Sequence, residues 1–422
     1  MNSIPFGDTV SNPLFETGVP LKTQLQRAER MKKLKYGALI APLAIFLFLT
    51  FLWPIAALLL KSVANAEVPD ALPQTIHQLA DWDGQTPPHE GAYAALVADL
   101  SLGKGGKTLA EAAKRLNMEQ PGMRSLFINT ARNLPLEPGL KPKEALLAMD
   151  ARWGEPATWQ MIARNSGEHT DYFLLAALDL RRDSAGDIAR VGPGDSVFVD
   201  IFARTFWMSL VVTLCCLALG FPLAYLLATQ PTRVSNLLMI FVLLPFWTSI
   251  LVRVAAWIVL LQQSGLINQG LISLGIIDQP LQLVFNRLGV YISMVHILLP
   301  FMILPLYSVM KGISPTYLRA AISLGCPPWK SFWKVYFPMT VPGVAAGGLL
   351  VFILSMGYYI TPALLGSPKE QMASYFVAFY TDQTTNWGMA AALSAMLLTA
   401  TMLLYFVYNR LVGPSTSGIK PR

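Results

Sequence analysis

The chain has 422 residues, 54% of them hydrophobic and only 14% charged, where soluble domains carry about 25% charged residues. That balance excludes a soluble enzyme of ordinary composition, and it excludes disorder over most of the length, because segments that stay unfolded are poor in apolar residues. The formal net charge of +7 comes without a dense basic stripe interleaved with aromatics, so nucleic acid is not an expected partner. Cys215 and Cys216 lie in an apolar run and Cys326 in a polar loop, so no paired disulfide framework is expected.

A helix needs about 20 apolar residues to cross a hydrocarbon core of about 30 Å. Six segments meet that length: Tyr36 to Leu60, Phe206 to Ala228, Leu237 to Leu261, Gly289 to Met310, Pro338 to Ile360 and Gly388 to Tyr408. The fold class expected is therefore all-α, a polytopic membrane protein in contact with lipid. Residues 1–35 form a polar leading segment, 36–60 the first span, 61–200 an insert, 201–411 a five-helix core and 412–422 a tail.

Lys22, Arg27, Arg30, Lys32, Lys33 and Lys35 precede the first span, and further Lys and Arg fall in alternate short loops, from Arg233 through Lys311, Arg319, Lys330 and Lys334 to Arg410, Lys420 and Arg422. The opposite short loops carry Arg287 and Lys369, so both termini are expected on the cytoplasmic side. Ala64-Asn65-Ala66, just beyond the first span, resembles a signal-peptidase site. A cleaved signal has an apolar stretch of about 7–15 residues, shorter than this span, which reads as a retained anchor.

The insert carries 14 Lys and Arg against 19 Asp and Glu, and it is expected outside the cytoplasm, since long loops translocate largely regardless of charge. Tyr93, Leu96, Val97 and Leu100 follow helical spacing, as do Leu109, Ala112, Ala113 and Leu116. Thr108 and Glu111 fit a capping box, Gly192-Pro193-Gly194 marks the return to the membrane, and no strand alternation competes. His77, His89 and His169 have no second metal ligand at recognisable spacing, and Glu168-His169 reads as a solvated loop pair. No nucleophile elbow, zinc-helix motif or phosphate-cradling glycine loop occurs, so an enzyme is not expected and ATP hydrolysis, if involved, belongs to another polypeptide.

Residues 312–337 form a loop too long for a plain connector, since helix connections in bundles take about 2–8 residues. Ser314 suits an N-cap with Pro315 at the first helical position, and Gly325 suits the positive φ that ends a helix before Pro327 and Pro328. Two short helices are expected. Leu318, Ala321 and Ile322 share one face and Lys330 and Lys334 another, a pattern suited to docking on a partner.

The run Leu318-Arg319-Ala320-Ala321-Ile322-Ser323-Leu324-Gly325, followed by Pro338 and then Pro342-Gly343, resembles the EAA loop of permease subunits of binding-protein-dependent ABC importers. The resemblance implies that this loop forms coupling helices seated in a cytoplasmic ABC ATPase dimer, on which ATP and Mg are bound, with no cofactor on this chain. It also implies a second permease subunit, expected to be a different chain, and a periplasmic substrate-binding protein. Arg319 stands where the family has glutamate, so that glutamate's contact does not carry over. Glu111-Ala112-Ala113 spells the motif literally, but it lies in the insert with Asn117 at the glycine position.

The similarity extends from about Phe206 to Tyr408 and is nearest to the spermidine and putrescine branch, through Leu244-Pro245-Phe246-Trp247-Thr248-Ser249 with Arg253 and Trp257, and Ile277-Asp278-Gln279-Pro280. Polyamines are the expected substrate class, with opines, amino acid derivatives and other nitrogenous solutes as alternatives. Arg253 is the one ionised side chain within spans two to six as bounded above, and a charge at membrane depth needs a polar environment, so it is a candidate for the pathway or a subunit interface. Trp257, one turn on, and Tyr358 and Tyr359, after Gly357, are further pathway candidates, although aromatics at that level also form interface belts. His296 reads as hydrogen-bonded within the bundle. A secondary transporter is a distant rival, since these spans hold no carboxylate and no paired repeat.

Overall fold

A computed structural model describes residues 21–135, 139–183, 186–192, 194 and 196–412. Most of the leading segment, Pro193, and the tail with Lys420 and Arg422 lie outside the described residues. Contacts divide the chain into two units, one up to Leu58 and one from Leu59 onward. The first holds α1 (Leu21–Leu47), a π-helical turn at Phe48–Leu52 and most of α2 (Trp53–Leu60). Pro54 has no N–H for the Thr50 carbonyl, which accounts for the widened turn.

The second unit begins with the insert. It comprises α3 (Glu67–Ala71), α4 (Pro73–Leu79), α5 (Glu90–Leu102), α6 (Lys107–Glu119), α7 (Met123–Arg132), α8 (Pro142–Met149), α9 (Pro156–Arg164) and α10 (Tyr172–Ala177). A hairpin of β1 (Leu180–Arg182) and β2 (Ile188–Arg190) follows, pairing Leu180 with Arg190, so the expectation of no strand is corrected. Three residues per strand are too few for alternation to show in the sequence.

The insert's core is a hydrogen-bonded aromatic stack. Tyr93 Oη donates to the Trp153 carbonyl at 2.9 Å and Trp159 Nε1 to the same oxygen at 2.8 Å, while Trp153 Nε1 donates to Thr130 Oγ1 at 3.0 Å. Each polar edge of the buried rings is thus satisfied, which removes the desolvation cost of burying them. The entry strand is pinned as well: the Asn65 N–H donates to the Glu168 carbonyl at 2.9 Å and the Thr170 N–H to the Val63 carbonyl at 2.8 Å. His169 pairs in a bridge with Ala64, so it belongs to this closure. The capping box is corrected too: α6 starts at Lys107 with Gly106 as its N-cap, and Glu111 forms an i,i+4 ion pair with Lys107 at 3.5 Å.

The core contains α11 (Phe198–Thr229), α12 (Thr232–Leu243), α13 (Ile250–Leu261), α14 (Leu266–Ser273) and α15 (Arg287–Lys311). It continues with α16 (Thr316–Ser323), α17 (Pro328–Ser331), α18 (Phe337–Met356), α19 (Ile360–Leu365), α20 (Ala373–Asp382) and α21 (Trp387–Val412). Six helical runs among the described residues are long and apolar enough to cross a membrane: Glu29–Leu60, Phe198–Thr229, Ile250–Ser273, Arg287–Lys311, Pro328–Met356 and Trp387–Arg410. The third differs from the expected single helix Leu237 to Leu261. Pro245 removes a donor, the chain tightens at Leu244–Trp247, and Thr248 turns extended at φ −106°, so α12 and α13 are separate. Span five ends at Met356, and Gly357 to Tyr359 break it from α19.

Three helices, α11, α15 and α18, pack where side chains are smallest. A Cβ on Gly220 would lie 3.0 Å from Met302 Cγ, and one on Gly347 would lie 2.9 Å from Met302 Sδ. Lipid gives helices no hydrophobic drive to associate, so such close backbone approach supplies the packing energy. Trp153→Ala is expected to destabilise the insert by about 3–5 kcal/mol, seen in hydrogen exchange as faster exchange of insert amides while α11, α15 and α18 stay protected.

Candidate functional site

The long loop folds as two short helices meeting at Gly325, whose φ of +86° is a conformation that side chains strain to adopt. α16 is regular from Thr316, one residue later than expected, and Ser314 Oγ still accepts from the Thr316 N–H at 3.3 Å. Leu318 and Ala321 are half-buried against the bundle, whereas Ser314, Arg319, Ala320, Gly325, Lys330 and Lys334 are exposed. Ile322 points outward too, correcting the shared face with Leu318 and Ala321. Leu324 is 88% and Trp329 71% exposed, so the loop presents apolar side chains among cations.

Aromatic packing fixes the base of this knob. Pro338, second in α18, lacks the donor for the Lys334 carbonyl, and the preceding Phe332–Tyr336 forms a wide π-helical turn. That turn puts Phe332 5.7 Å from the Tyr225 ring and Tyr336 5.4 Å from it, in edge-to-face geometry on the last turns of α11. A shift of α11 or α18 therefore displaces the knob.

A second cluster lies inside the bundle. Trp257 of α13 donates Nε1–H to His296 Nδ1 on α15 at 3.2 Å, which leaves the proton of a neutral ring on Nε2. Arg253 is half-buried, lies close enough for its charge to act on both His296 and Tyr358, and its buried Nε has no hydrogen-bond partner. Among the described residues no carboxylate pairs with it within 4.0 Å. The structure thus gathers Arg253, Trp257, His296 and Tyr358, while Tyr359 is 43% exposed and turns away from burial.

Sequence reasoning missed a third group, at the insert side of the core. Arg204 donates to the Lys369 carbonyl, and Arg287 pairs at 3.5 Å with Glu370, which is 9% exposed and also accepts from Ser367. Arg204 was left out of the spans because α11 starts eight residues earlier than the apolar run, at Phe198. In the insert a cleft of about 1130 Å³ is lined in part by Arg164, His169, Asp171, Tyr172 and Arg181. No metal-competent group of three His, Cys, Asp or Glu exists among the described residues.

Residues 220–417 match the family described as binding-protein-dependent transport system inner membrane component. The spermidine/putrescine transport system permease protein PotB of Escherichia coli (strain K12) is 35% identical over 216 residues, 51% of this chain and 78% of that protein. PotB of Haemophilus influenzae is 35% identical over 244 residues, 56% of this chain and 85% of that protein. The inner membrane ABC transporter permease protein YdcU of Escherichia coli (strain K12) is 33% identical over 232 residues, 51% of this chain and 72% of that protein. A bacterial alginate ABC transporter aligns at 18% identity with a TM-score of 0.42, over 52% of this chain and 80% of that one. The chain belongs to the family of binding-protein-dependent transport system inner membrane components. It is a multi-pass inner-membrane permease subunit of an ABC importer, a transport component whose ATPase is a separate subunit.

A charge set in an apolar span costs insertion up to about 2.5–3.5 kcal/mol, so Arg253→Ala, in the first turn of α13, should not weaken the folded subunit. It is expected to lower uptake at least tenfold with unchanged membrane abundance; normal uptake would make Arg253 a tolerated structural residue.

Proposed function

We propose that this permease passes polyamines of the spermidine and putrescine class from a periplasmic binding protein to the cytoplasm, by alternating access driven by a cytoplasmic ABC ATPase dimer. The observation that carries the coupling role is the exposed knob hinged at Gly325, which offers Leu324, Trp329 and Arg319 to a partner and is tied by Phe332 and Tyr336 to α11. ATP and Mg act on the partner, and closure of the ATPase dimer would push the knob and tilt the helices bound to it. The 14 basic residues in the flanks and alternate short loops support a cytoplasmic knob and termini, with the insert in the periplasm. A second permease subunit, a different chain, completes the pathway.

The substrate class is supported by the similarity to spermidine/putrescine permeases, and the bundle offers chemistry to match it. Trp257 and Tyr358 present aromatic faces, which attract ammonium groups by cation–π interaction. Arg253 beside them disfavours a tightly held polycation, which suits a site that must release its cargo. Residue roles follow from placement: Arg253, Trp257 and Tyr358 line the route or its gate, with Tyr359 at its edge, and Ser314, Leu318, Ala320, Ala321, Lys330, Lys334 and Pro338 shape the knob.

The test is uptake of labelled spermidine into cells expressing the complete transporter or one with Gly325→Val. Valine at this positive φ costs about 1–3 kcal/mol, so the variant should insert yet lose ATPase association and at least tenfold in uptake. Absence of ATP-dependent spermidine uptake by the unchanged transporter contradicts the substrate assignment. Full activity of Gly325→Val contradicts the coupling role.

A further inference from the structure

The insert is bonded to the core at two helix heads. At the first, the Asp179 carboxylate accepts the N–H groups of Val197 and Phe198 at 3.0 Å each and of Val199 at 2.7 Å. These are the donors that α11 leaves open at its start, so an anion from the insert satisfies the first turn of span two and complements its dipole. Asp179 holds φ +55° to do so and is 7% exposed.

The second joint is at the head of span six. Lys114 Nζ of α6 donates to the Thr384 carbonyl at 2.6 Å, and Asn386 Nδ2 reaches Met118 Sδ at 3.4 Å. The Phe173 ring of α10 lies against Gly388 of α21 with no room for a Cβ between them. Phe173 and Ala177 are buried in one apolar cluster with Met389, Ala392 and Leu393. Arg115, its side chain 3% exposed, braces the stretch of insert between the two heads by tying α6 to α10. It pairs with Glu119 at 2.9 Å, donates to Asn165 at 3.0 Å and Thr170 at 3.2 Å, and lies 4.3 Å from the Tyr172 ring centroid. Among the described residues, every side-chain hydrogen bond between residues 61–196 and the core falls at these two heads.

Building on the permease reading, we infer that the insert is a clamp that joins the heads of α11 and α21 into one rigid body, so that the gate on this side opens elsewhere, around α13 and the α18–α19 break. Trp257 and His296 of the bundle cluster sit on α13 and α15, outside the two bonded heads, while the Tyr358 carbonyl accepts from Ser374 Oγ of α20 at 2.8 Å. A partner seated on the insert would then act on both heads together, through Asp179 and through Phe173.

The test uses the full transporter with its ATPase, spin-labelled in pairs and compared without nucleotide and with ATP plus vanadate. One pair joins Lys107 on α6 to Gln383 beside the head of α21; the other joins Gln383 to Trp247 at the α12–α13 break. The first distance should hold constant while the second changes by more than the shift of about 1–2 Å seen for packed helices. A first pair that shifts as far as the second overturns the clamp. If neither distance changes while ATP-dependent uptake is intact, the gate does not open around α13 and the clamp is overturned; if uptake is absent as well, it is the proposed transport function that fails. Gly388→Leu should broaden the Lys107–Gln383 distribution by displacing Phe173; an unchanged distribution in a folded Gly388→Leu subunit also overturns the clamp.

Discussion

The close contact of α11, α15 and α18 around Met302 is the constraint on which the remaining structure depends. Gly220 and Gly347 let Met302 approach two backbones, and Gly343 lets Val309 approach within 3.0 Å of its notional Cβ. Because lipid solvates apolar side chains as well as another helix does, this contact must come from shape, and small residues provide it. Once the three helices are fixed, their ends become platforms. The loop-side end of α11 carries Phe221 and Tyr225, against which Phe332 packs at 6.3 and 5.7 Å. The opposite end of α11 is capped by Asp179 of the insert.

Charge placement follows from the same environment. Other cations near the core find partners, as Arg287 at the head of α15 does in Glu370 and Lys114 in the middle of α6 does in the Thr384 carbonyl. Arg253 has no carboxylate partner within 4.0 Å among the described residues and its buried Nε is unsatisfied, while its neighbours Trp257, His296 and Tyr358 are polarisable groups without formal negative charge. A guanidinium held in that way keeps its field available to whatever passes, and this separates it from Arg287, whose charge is paired with Glu370.

The spans and the loop were legible because each rests on local signals. Apolar length marks a membrane helix, and Gly325 followed by Pro327 and Pro328 marks a hinge. Breaks were harder to read: Pro245 sits in an unbroken apolar run, so length concealed the separation of α12 from α13. The joints were illegible for a different reason. Asp179 looks like a solvated loop residue and Gly388 like the start of an apolar run, and only tertiary placement brings the first to the head of α11 and the second under Phe173. Likewise the Arg253 neighbours His296 and Tyr358 come from sequence positions far apart, so Trp257 was the one partner that helical spacing could supply.

The central claim is that the Gly325 knob is where this chain meets its ATPase. The most direct measurement places a photo-reactive amino acid at Leu324, which is 88% exposed, and another at Leu102 of the insert, which is 81% exposed, in cells that express the whole transporter. Illumination should join the Leu324 probe to the ATP-binding subunit, identified by mass spectrometry, and should give no such adduct from Leu102. Capture of the ATP-binding subunit by the Leu102 probe, with none from Leu324, would contradict the account.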